Sequence, residues 1–516
     1  MTKKSEVYDG SSIKELPFPE NVRTRPQMYV GPTTKSAQST CLREILNNSV
    51  DEYLSGYANT ITVTMHTGRS FTITDNGRGV PFDMHESKRN TLEVIFGALH
   101  AGRNFEAKTV YSTGLNGVGA SCVNALSDVF TVYSRRNNDY GVISFNKGLV
   151  KQKPKVHTLT NISDTPIKTK TGTSVFYELD DSLFTDELSY DDVYNYLQEV
   201  SFLCTELKII FNDCSGAKNK RVEFLYKKDE GLTNYLKQYA GANNNVLLSE
   251  PIKFSGKVED TTVDVVFAYS DIKNENIISF CNTIKTSLGG SHVTGFKRSL
   301  SQNFSKYIKD NSMSKIELEP DDFRAGLIVF ISVYSFNPEY TSQTKQELDM
   351  NKLQGHVLKV CNEKLKDWLS ANAKTMKKLV ELFILNAKGR LAQKRALENV
   401  QKENASLFSS ISDMKKFADC ITHGENAELF LVEGASAKGP CDEVRNKENQ
   451  AVYALKGKPI NAQITEVNTL LKNNEIEDIV SILKCGYGNN IDMEKLRFGK
   501  VIILSDADKD GKAPLI

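Results

Sequence analysis

The apolar residues between positions 39 and 56 recur with the period of a helix. They form one stripe: Leu42, Ile45, Leu46, Tyr53 and Leu54. Gly56 is placed to end this helix. On another face Glu44, Asn48 and Asp51 recur at i, i+4 and i+7, which aligns two carboxylates and an amide. Such a column is either a solvated face or a site in which Asn48 ligates magnesium and Glu44 takes a proton from water.

A strand pair is predicted next. Apolar and polar residues alternate on both sides of a turn at residues 66–69, with Ile61, Val63 and Met65 before it and Phe71 and Ile73 after it. The second strand leads into Asp75, Gly77 and Gly79, where the glycines permit close approach of a ligand to the backbone. Taken singly, this stretch is a turn. Its alternative is a pocket in which Asp75 accepts a hydrogen bond from an adenine amine.

Residues 113–127 contain three glycines ahead of another predicted helix: Gly114, Gly117 and Gly119. Free backbone N–H groups at the start of such a helix can hold phosphate. The spacing fits neither the dinucleotide fingerprint nor the Walker A motif. A glycine-rich loop is weak evidence alone. The order of helix, Asp-x-Gly-x-Gly strand end and glycine loop is far more specific.

Two short apolar runs near the C-terminal end lead into acidic residues. Residues 429–432 precede Glu433, and residues 501–504, predicted to be a buried strand, precede Asp506, Asp508 and Asp510. In a parallel sheet these strand ends share one edge, where ligands bind. Carboxylates crowded there repel one another unless a cation lies among them, so the pattern predicts a magnesium site. The alternative is a solvated acidic turn.

Between these two runs, Lys456 and Lys458 are placed to contact a phosphate backbone. The chain as a whole has 65 Lys and Arg against 64 Asp and Glu, a net charge of +1, so any nucleic-acid surface must be local. Its 516 residues predict about three domains.

The nine cysteines show neither CxxC nor zinc spacing, which predicts reduced thiols. No signal-sequence core and no membrane-length apolar run is present in the sequence. We therefore expect a cytoplasmic protein with no membrane partner.

The first three segments together resemble the Bergerat-fold ATPase motifs of the GHKL superfamily, and most nearly the B subunits of type IIA DNA topoisomerases. Further markers are residues 8–13, 25–31 and 100–102. The resemblance implies ATP and Mg²⁺ as cofactors. It assigns Glu44 as general base, Asn48 as magnesium ligand and Asp75 as the residue that reads adenine.

The same resemblance assigns the remaining residues of the nucleotide site. Gly77 and Gly79 shape the base pocket, a lid covers the triphosphate, and Tyr8 reaches the nucleotide of the partner subunit. The lid residues are Asn116, Gly117, Val118 and Gly119. Asn104 departs from the pattern, because the gyrase pattern usually has lysine there.

Apolar strands near residues 263–269 and 327–335 belong to a middle region that resembles the topoisomerase transducer domain. A lysine on a loop tip is ordinarily only solvated. The resemblance instead makes Lys345 a catalytic residue that contacts the terminal phosphate, oriented with the help of Gln343.

The last region resembles a Toprim domain. Glu433, Asp506, Asp508 and Asp510 match its metal-binding acids, with Glu433 also catalytic, and Lys456 and Lys458 match its DNA-contacting segment. Ala435 stands where a further acid is usual. The Ser-His and helix that usually follow are replaced by residues 512–516, so we expect an incomplete Toprim domain, similar to the split large subunit of T-even bacteriophage topoisomerases.

We therefore predict an α/β (α+β) protein with a GHKL ATPase domain at 1–228, a transducer domain at 229–405 and an incomplete Toprim domain at 417–516. The expected function is an ATP-driven dimer gate that passes one DNA duplex through a break in another. Double-stranded DNA, a second copy joined through the ATPase domain, a subunit with the cleavage tyrosine and a further chain that completes the Toprim domain are the expected partners.

Two other functions stay open at this point. The chain is either another Bergerat ATPase, such as a chaperone or mismatch-repair clamp, or a DNA clamp or scaffold whose nucleotide site binds without hydrolysis. The acids of the last region and residues 456–458 argue against the first of these.

Overall fold

The structure is a computed structural model that describes residues 15–102, 111–114, 117–243, 250–270, 273–342, 345–409, 416–455, 473–486 and 491–504. The chain divides into two units, Met1–Ala387 and Lys388–Ile516. None of the described helices is both long enough and apolar enough to span a membrane.

The first domain is an eight-stranded sheet with its helices. The helices are α1 (Glu20–Thr24), α2 (Gln27–Val30), α3 (Lys35–Leu54), α4 (Thr91–Gly97), α5 (Gly119–Ala125) and α6 (Tyr190–Leu203). The strands are β1 (Thr60–Thr67), β2 (Ser70–Asp75), β3 (Ser127–Arg136), β4 (Asp139–Asn146), β5 (Leu149–Thr158), β6 (Thr171–Leu179), β7 (Lys208–Asp213) and β8 (Lys220–Phe224). Their order in the sheet is β5-β4-β3-β6-β2-β1-β7-β8.

The predicted apolar stripe of α3 is confirmed, and it builds the core of this domain. Leu42, Ile45 and Leu46 are at most 1 % exposed and belong to the same buried cluster as Ile61 and Ile73. The predicted strand pair is confirmed as well, because β1 and β2 are antiparallel. Packing of α3 on these strands fixes the helix face that carries Glu44, Asn48 and Asp51.

The second domain contains a five-stranded sheet and a two-stranded ribbon. Its helices are α7 (Gly231–Asn243), α8 (Ser291–Asp310), α9 (Pro320–Arg324), α10 (Asn351–Ala371) and α11 (Ala373–Ser409). Its strands are β9 (Ile252–Val258), β10 (Thr261–Tyr269), β11 (Asn276–Cys281), β12 (Ile284–Lys285), β13 (Gly289–Gly290), β14 (Leu327–Tyr334) and β15 (Glu347–Leu348). The sheet order is β12-β11-β14-β10-β9, and β13 pairs with β15.

The third domain is a four-stranded sheet with two α-helices in its described residues. They are β16 (Phe417–Ala418), β17 (Gly424–Glu433), α12 (Gly434–Val444), β18 (Gln450–Leu455), α13 (Asn474–Leu483) and β19 (Phe498–Leu504). The order is β16-β18-β17-β19, and β17 is parallel to both of its neighbours. The mixed α/β class predicted from the sequence is therefore confirmed.

The predicted burial of the last strand is wrong, although the strand itself is present. Val501, Ile503 and Leu504 are 46 %, 40 % and 42 % exposed. The reason is topological, because β19 lies at the edge of its sheet and pairs only with β17 among the described residues. A continuous apolar run indicates a strand buried on both faces only when other elements cover it.

Candidate functional site

A cavity of about 320 Å³ lies in the first unit, and residues of the first and second domains line it together. Its wall includes seven of the residues predicted from the sequence: Glu44, Asn48, Asp75, Gly79, Gly117, Val118 and Gly119. Lys345 of the second domain reaches the same cavity. A larger cavity of about 430 Å³ borders a different part of α3, near Arg43 and Tyr196, and none of the predicted site residues lines it.

Asp75 ends β2 inside the cavity and is only 5 % exposed. Its Oδ1 accepts the backbone N–H groups of Gly77 at 2.8 Å and Thr173 at 3.3 Å, and its Oδ2 accepts the Ser49 hydroxyl at 3.0 Å. Burial raises the pKa of Asp75 to about 6, and these hydrogen bonds oppose the rise. The residue is thus a buried acceptor, held in one orientation, in the wall of the cavity.

Glu44 and Asn48 extend from consecutive turns of α3 toward the start of α5. The Glu44 carboxylate lies so close to Gly119 that a Cβ at that position would overlap it. Gly119 therefore allows the acid and the first turn of α5 to approach each other closely. A carboxylate and an amide that line one cavity are a donor set that suits magnesium.

Gly79 adopts a backbone conformation with positive φ, which glycine tolerates better than other residues. Its φ is +75°, and a Cβ there would overlap the Arg135 carbonyl. The neighbouring Gly77 faces Glu52, whose carboxylate accepts the Arg78 backbone N–H and its Nε, each at 3.0 Å. The Arg78 guanidinium also lies 3.8 Å from the centre of the Tyr57 ring. The turn after β2 is therefore locked onto the end of α3.

Asp51, the third member of the predicted column, accepts hydrogen bonds from backbone and hydroxyl groups of residues 112–114. It accepts four hydrogen bonds: 2.7 Å from the Thr113 N–H, 2.7 Å from the Thr113 hydroxyl, 2.7 Å from the Ser112 hydroxyl and 3.2 Å from the Gly114 N–H. Burial raises the pKa of Asp51, and these donors oppose that rise. We call residues Ser112, Thr113 and Gly114 the hinge segment. Asp51 fixes this segment to α3.

Lys345 contacts the hinge segment from the second domain. Its Nζ donates to the Thr113 carbonyl at 2.9 Å. The loop that carries it is held by the parallel pairing of β13 with β15 and by a hydrogen bond from the Leu288 N–H to the Gln346 carbonyl at 2.9 Å. A lysine on a loop is thus brought to the cavity wall by backbone pairing.

Sequence reasoning missed several residues of this site. Glu52, Arg78 and Arg136 line the cavity, and Thr173 bonds Asp75 from β6. Two of them had a signal in the sequence. Glu52 is a charged residue directly after Asp51, and Arg78 lies inside the turn from Asp75 to Gly79. Thr173 lies 98 residues from Asp75, and no local pattern marks it.

Glu433 lies where the sequence places it, at the carboxyl end of β17 and directly before α12. Val432 is opposite Leu504, so Glu433 occupies the sheet edge from which the chain continues toward the predicted aspartates. The other predicted site residues lie outside the described residues: Tyr8, Asn116, Gln343, Lys456, Lys458, Asp506, Asp508 and Asp510. Asn104, the departure from the family pattern, lies outside them as well.

Three family models match consecutive parts of the chain. They are the histidine kinase-, DNA gyrase B- and HSP90-like ATPase at residues 36–176, DNA gyrase B at 231–399 and the Toprim domain at 428–513. These families are the ones that the sequence resemblance implied for the three regions. The exact domain boundaries stay a prediction.

Known proteins match over longer stretches. The DNA gyrase B protein of Thermotoga maritima is 38 % identical over 98 % of this chain and 79 % of its own length. The 43K ATPase domain of Thermus thermophilus gyrase B, solved with an aminocoumarin, matches with a TM-score of 0.59 and 30 % identity, covering 73 % of this chain and 97 % of that one.

The topoisomerase IV ATP-binding domain of Francisella tularensis, solved with a small-molecule inhibitor, matches with a TM-score of 0.59 and 29 % identity over 72 % and 97 % of the two chains. These relatives are bacterial. The similarity to bacteriophage topoisomerases stays a prediction.

Replacement of Asp51 by asparagine is expected to loosen the hinge segment, because an NH₂ group would then face N–H and O–H donors. Loss of these partly buried hydrogen bonds is expected to cost about 1–3 kcal/mol of stability. Hydrogen-exchange mass spectrometry of the peptide that contains residues 112–114 should show faster exchange at Thr113 and Gly114. D128N is the control, because Asp128 pairs only with Lys147 among the ion pairs of the described residues. Unchanged exchange in D51N would contradict the assignment.

Proposed function

Because this chain belongs to the DNA gyrase B family, we propose that its 320 Å³ cavity binds ATP and that the residues predicted from the sequence act there. The protein is an ATP-hydrolysing subunit of a type II DNA topoisomerase. The observation that carries the proposal is the convergence of Glu44, Asn48, Asp75 and Lys345, from two domains, on one cavity.

The base end of the cavity is proposed to bind adenine. Asp75 is buried and already oriented by Ser49, Gly77 and Thr173, so its ionised carboxylate offers an acceptor to the adenine amine. Gly79 keeps its part of the cavity wall free of a side chain, which allows a flat base to lie against the backbone. Gly77 is proposed to shape the base pocket indirectly, by letting Glu52 pack against the turn.

The phosphate end is proposed to form around Glu44, Asn48 and the residues that precede α5. When bound, Mg²⁺ offsets the negative charge of the phosphates. Asn48 supplies an amide oxygen for that ion, and Glu44 accepts the proton of the attacking water. The tight approach of Gly119 to Glu44 supports this arrangement, since it leaves the acid beside the glycine residues proposed as lid.

Lys345 is proposed to bind the terminal phosphate. Its ammonium group donates to the Thr113 carbonyl in the cavity wall, and exchange of that neutral acceptor for an anionic phosphate oxygen would give a stronger hydrogen bond. The closed state is then favoured only while the terminal phosphate is present. Gln343, Tyr8 and Asn116 keep the roles that the family resemblance implies.

The third domain is proposed to bind Mg²⁺ for DNA cleavage and religation. Glu433 lies at the edge where Asp506, Asp508 and Asp510 follow in sequence, and Lys456 and Lys458 are the proposed DNA contacts. Gyrase B relatives support a protein that acts on DNA together with partner subunits. The cleavage tyrosine is proposed to come from another subunit.

A second copy is proposed to join through the ATPase domain, in keeping with gyrase B relatives that act with partner subunits. The cytoplasmic location stays a prediction.

Replacement of Glu44 by alanine is expected to reduce ATP turnover by about 10²–10⁴-fold, because the general base is lost. Nucleotide binding, measured by isothermal titration with a non-hydrolysable analogue, should stay close to the wild-type value. E178A is the matched control, since Glu178 lies on the exposed side of β6. If E44A still hydrolyses ATP at the wild-type rate, Glu44 is not the general base. If the wild-type protein binds ATP but does not hydrolyse it, the alternative of a non-hydrolysing DNA clamp or scaffold is favoured.

ATP affinity is expected to fall as the pH drops below about 6, because the pKa of Asp75 is raised to about 6 and protonation converts one of its acceptor oxygens into a hydroxyl. The loss reaches at most about tenfold per pH unit. In D75N, affinity should be about 10–100-fold weaker at pH 7.5. Protonation of ATP itself changes its binding to wild type and to D75N alike. The ratio of their two dissociation constants, measured from pH 5 to 8, therefore reports the protonation of Asp75 alone. A ratio that does not change with pH rejects this role.

Replacement of Glu433 by glutamine is expected to reduce DNA cleavage by the enzyme reconstituted with its partner subunits, by about 10²-fold or more, because a metal-binding carboxylate is lost. Cleavage is measured as linear product from supercoiled plasmid at several Mg²⁺ concentrations. E428A is the control: Glu428 lies on the same strand but pairs with Lys500. Equal cleavage by E433Q and wild type would show that the third domain does not cut DNA through this acid.

A further inference from the structure

Asn282 occupies the turn between β11 and β12, far in sequence from every residue of the nucleotide site. The turn consists of Asn282 and Thr283, both with positive φ (+48° and +68°), between the paired residues Cys281 and Ile284. Asparagine tolerates this conformation better than most residues. Turn residues are usually exposed, yet Asn282 is 0 % exposed.

The Asn282 side chain joins the two domains. Its Nδ2 donates to the Ser112 carbonyl of the hinge segment at 2.9 Å and to the Ser335 carbonyl of the second domain at 2.9 Å. Its Oδ1 accepts the Ser335 backbone N–H at 2.9 Å. Both N–H groups of the amide are therefore used, one in each domain.

The hinge segment is consequently held from two sides. Asp51 binds its N–H and hydroxyl groups from α3, while Asn282 and Lys345 bind the consecutive carbonyls of Ser112 and Thr113 from the second domain. The preceding Tyr111 packs against Phe336 at 4.8 Å between ring centres. Residues 335 and 336 begin the connection from β14 to Lys345.

We propose that Asn282 is a positioning residue for ATP hydrolysis, which makes the hinge segment and the Lys345 loop move as one body. The proposal rests on the proposed ATPase function and adds a residue that touches no nucleotide. A shift of the hinge segment on nucleotide binding is transmitted through the amide to Ser335 and from there to the loop that carries the lysine. Without the amide, the nucleotide still binds, but the closed state with Lys345 in place becomes rarer.

Asn282→Asp is the informative substitution. Aspartate has the same shape and tolerates positive φ, and it can still accept the Ser335 N–H. It replaces the doubly donating NH₂ by an oxygen that faces two carbonyls, so the link between the domains is lost or repelled.

Asn386 provides a matched control inside the second domain. It is 7 % exposed, and its Nδ2 likewise donates to two carbonyls, those of Asp322 at 3.1 Å and Ala325 at 3.2 Å. N386D therefore introduces the same buried chemical conflict and a similar loss of stability, without touching the hinge segment. Melting temperatures of both variants establish that the comparison is made between folded proteins.

Steady-state ATP hydrolysis by the full chain, together with titration of a non-hydrolysable ATP analogue, separates binding from catalysis. For N282D we expect kcat to fall about tenfold or more, with an analogue Kd within about threefold of wild type. N386D should keep kcat within about twofold. Nucleotide-dependent dimerisation, followed by light scattering, should weaken in parallel in N282D alone.

Equal kcat values for N282D and N386D overturn the proposal, and so does a loss in N282D that is confined to nucleotide affinity.

N282G keeps the experiment decisive if N282D does not fold. Glycine suits the φ of +48° and removes the amide without adding charge, so the same loss of kcat is expected. A wild-type protein without ATPase activity would reject the proposed function instead, so the two failures are distinguishable.

Discussion

The four hydrogen bonds that Asp51 accepts from the hinge segment are the constraint on which the nucleotide site depends. A carboxylate that is largely withdrawn from water is stable only when its lone pairs find donors. Asp51 finds them in the backbone and hydroxyls of residues 112–114, and the cavity takes its shape from that requirement. Because the carbonyls of Ser112 and Thr113 point to the second domain, this short segment is a structural part of both domains.

The sequence was sufficient for the parts of the site that lie close together along the chain. Helical spacing placed Glu44, Asn48 and Asp51 on one face of α3, and strand alternation placed Asp75 at the end of β2, because those relations follow from backbone geometry alone. Family resemblance added Lys345, whose arrival at the cavity no local pattern predicts. The same resemblance named the three folds that the family models match.

Contacts that cross long stretches of chain were beyond such reasoning. Asn282 and Ser112 are 170 residues apart, and neither has a neighbour pattern that distinguishes it from an ordinary turn residue. Asp51 carried a visible signal, but its partner could be an ion, water or backbone until the fold was known. The burial of β19 was mispredicted for a related reason, because an apolar run does not reveal whether its strand is central or at an edge.

The proposed contact at Asp75 also determines which bases the cavity rejects. Guanine carries a carbonyl oxygen where adenine carries its amine, so a guanine nucleotide in the same pose would set oxygen against an ionised, water-excluded oxygen. Ser49, Gly77 and Thr173 hold the carboxylate in place, which prevents it from turning away to relieve that repulsion. Mismatches of this kind at buried polar sites are heavily penalised. Selectivity for one purine over the other would then come from the rigidity of a single acid rather than from the size of the pocket.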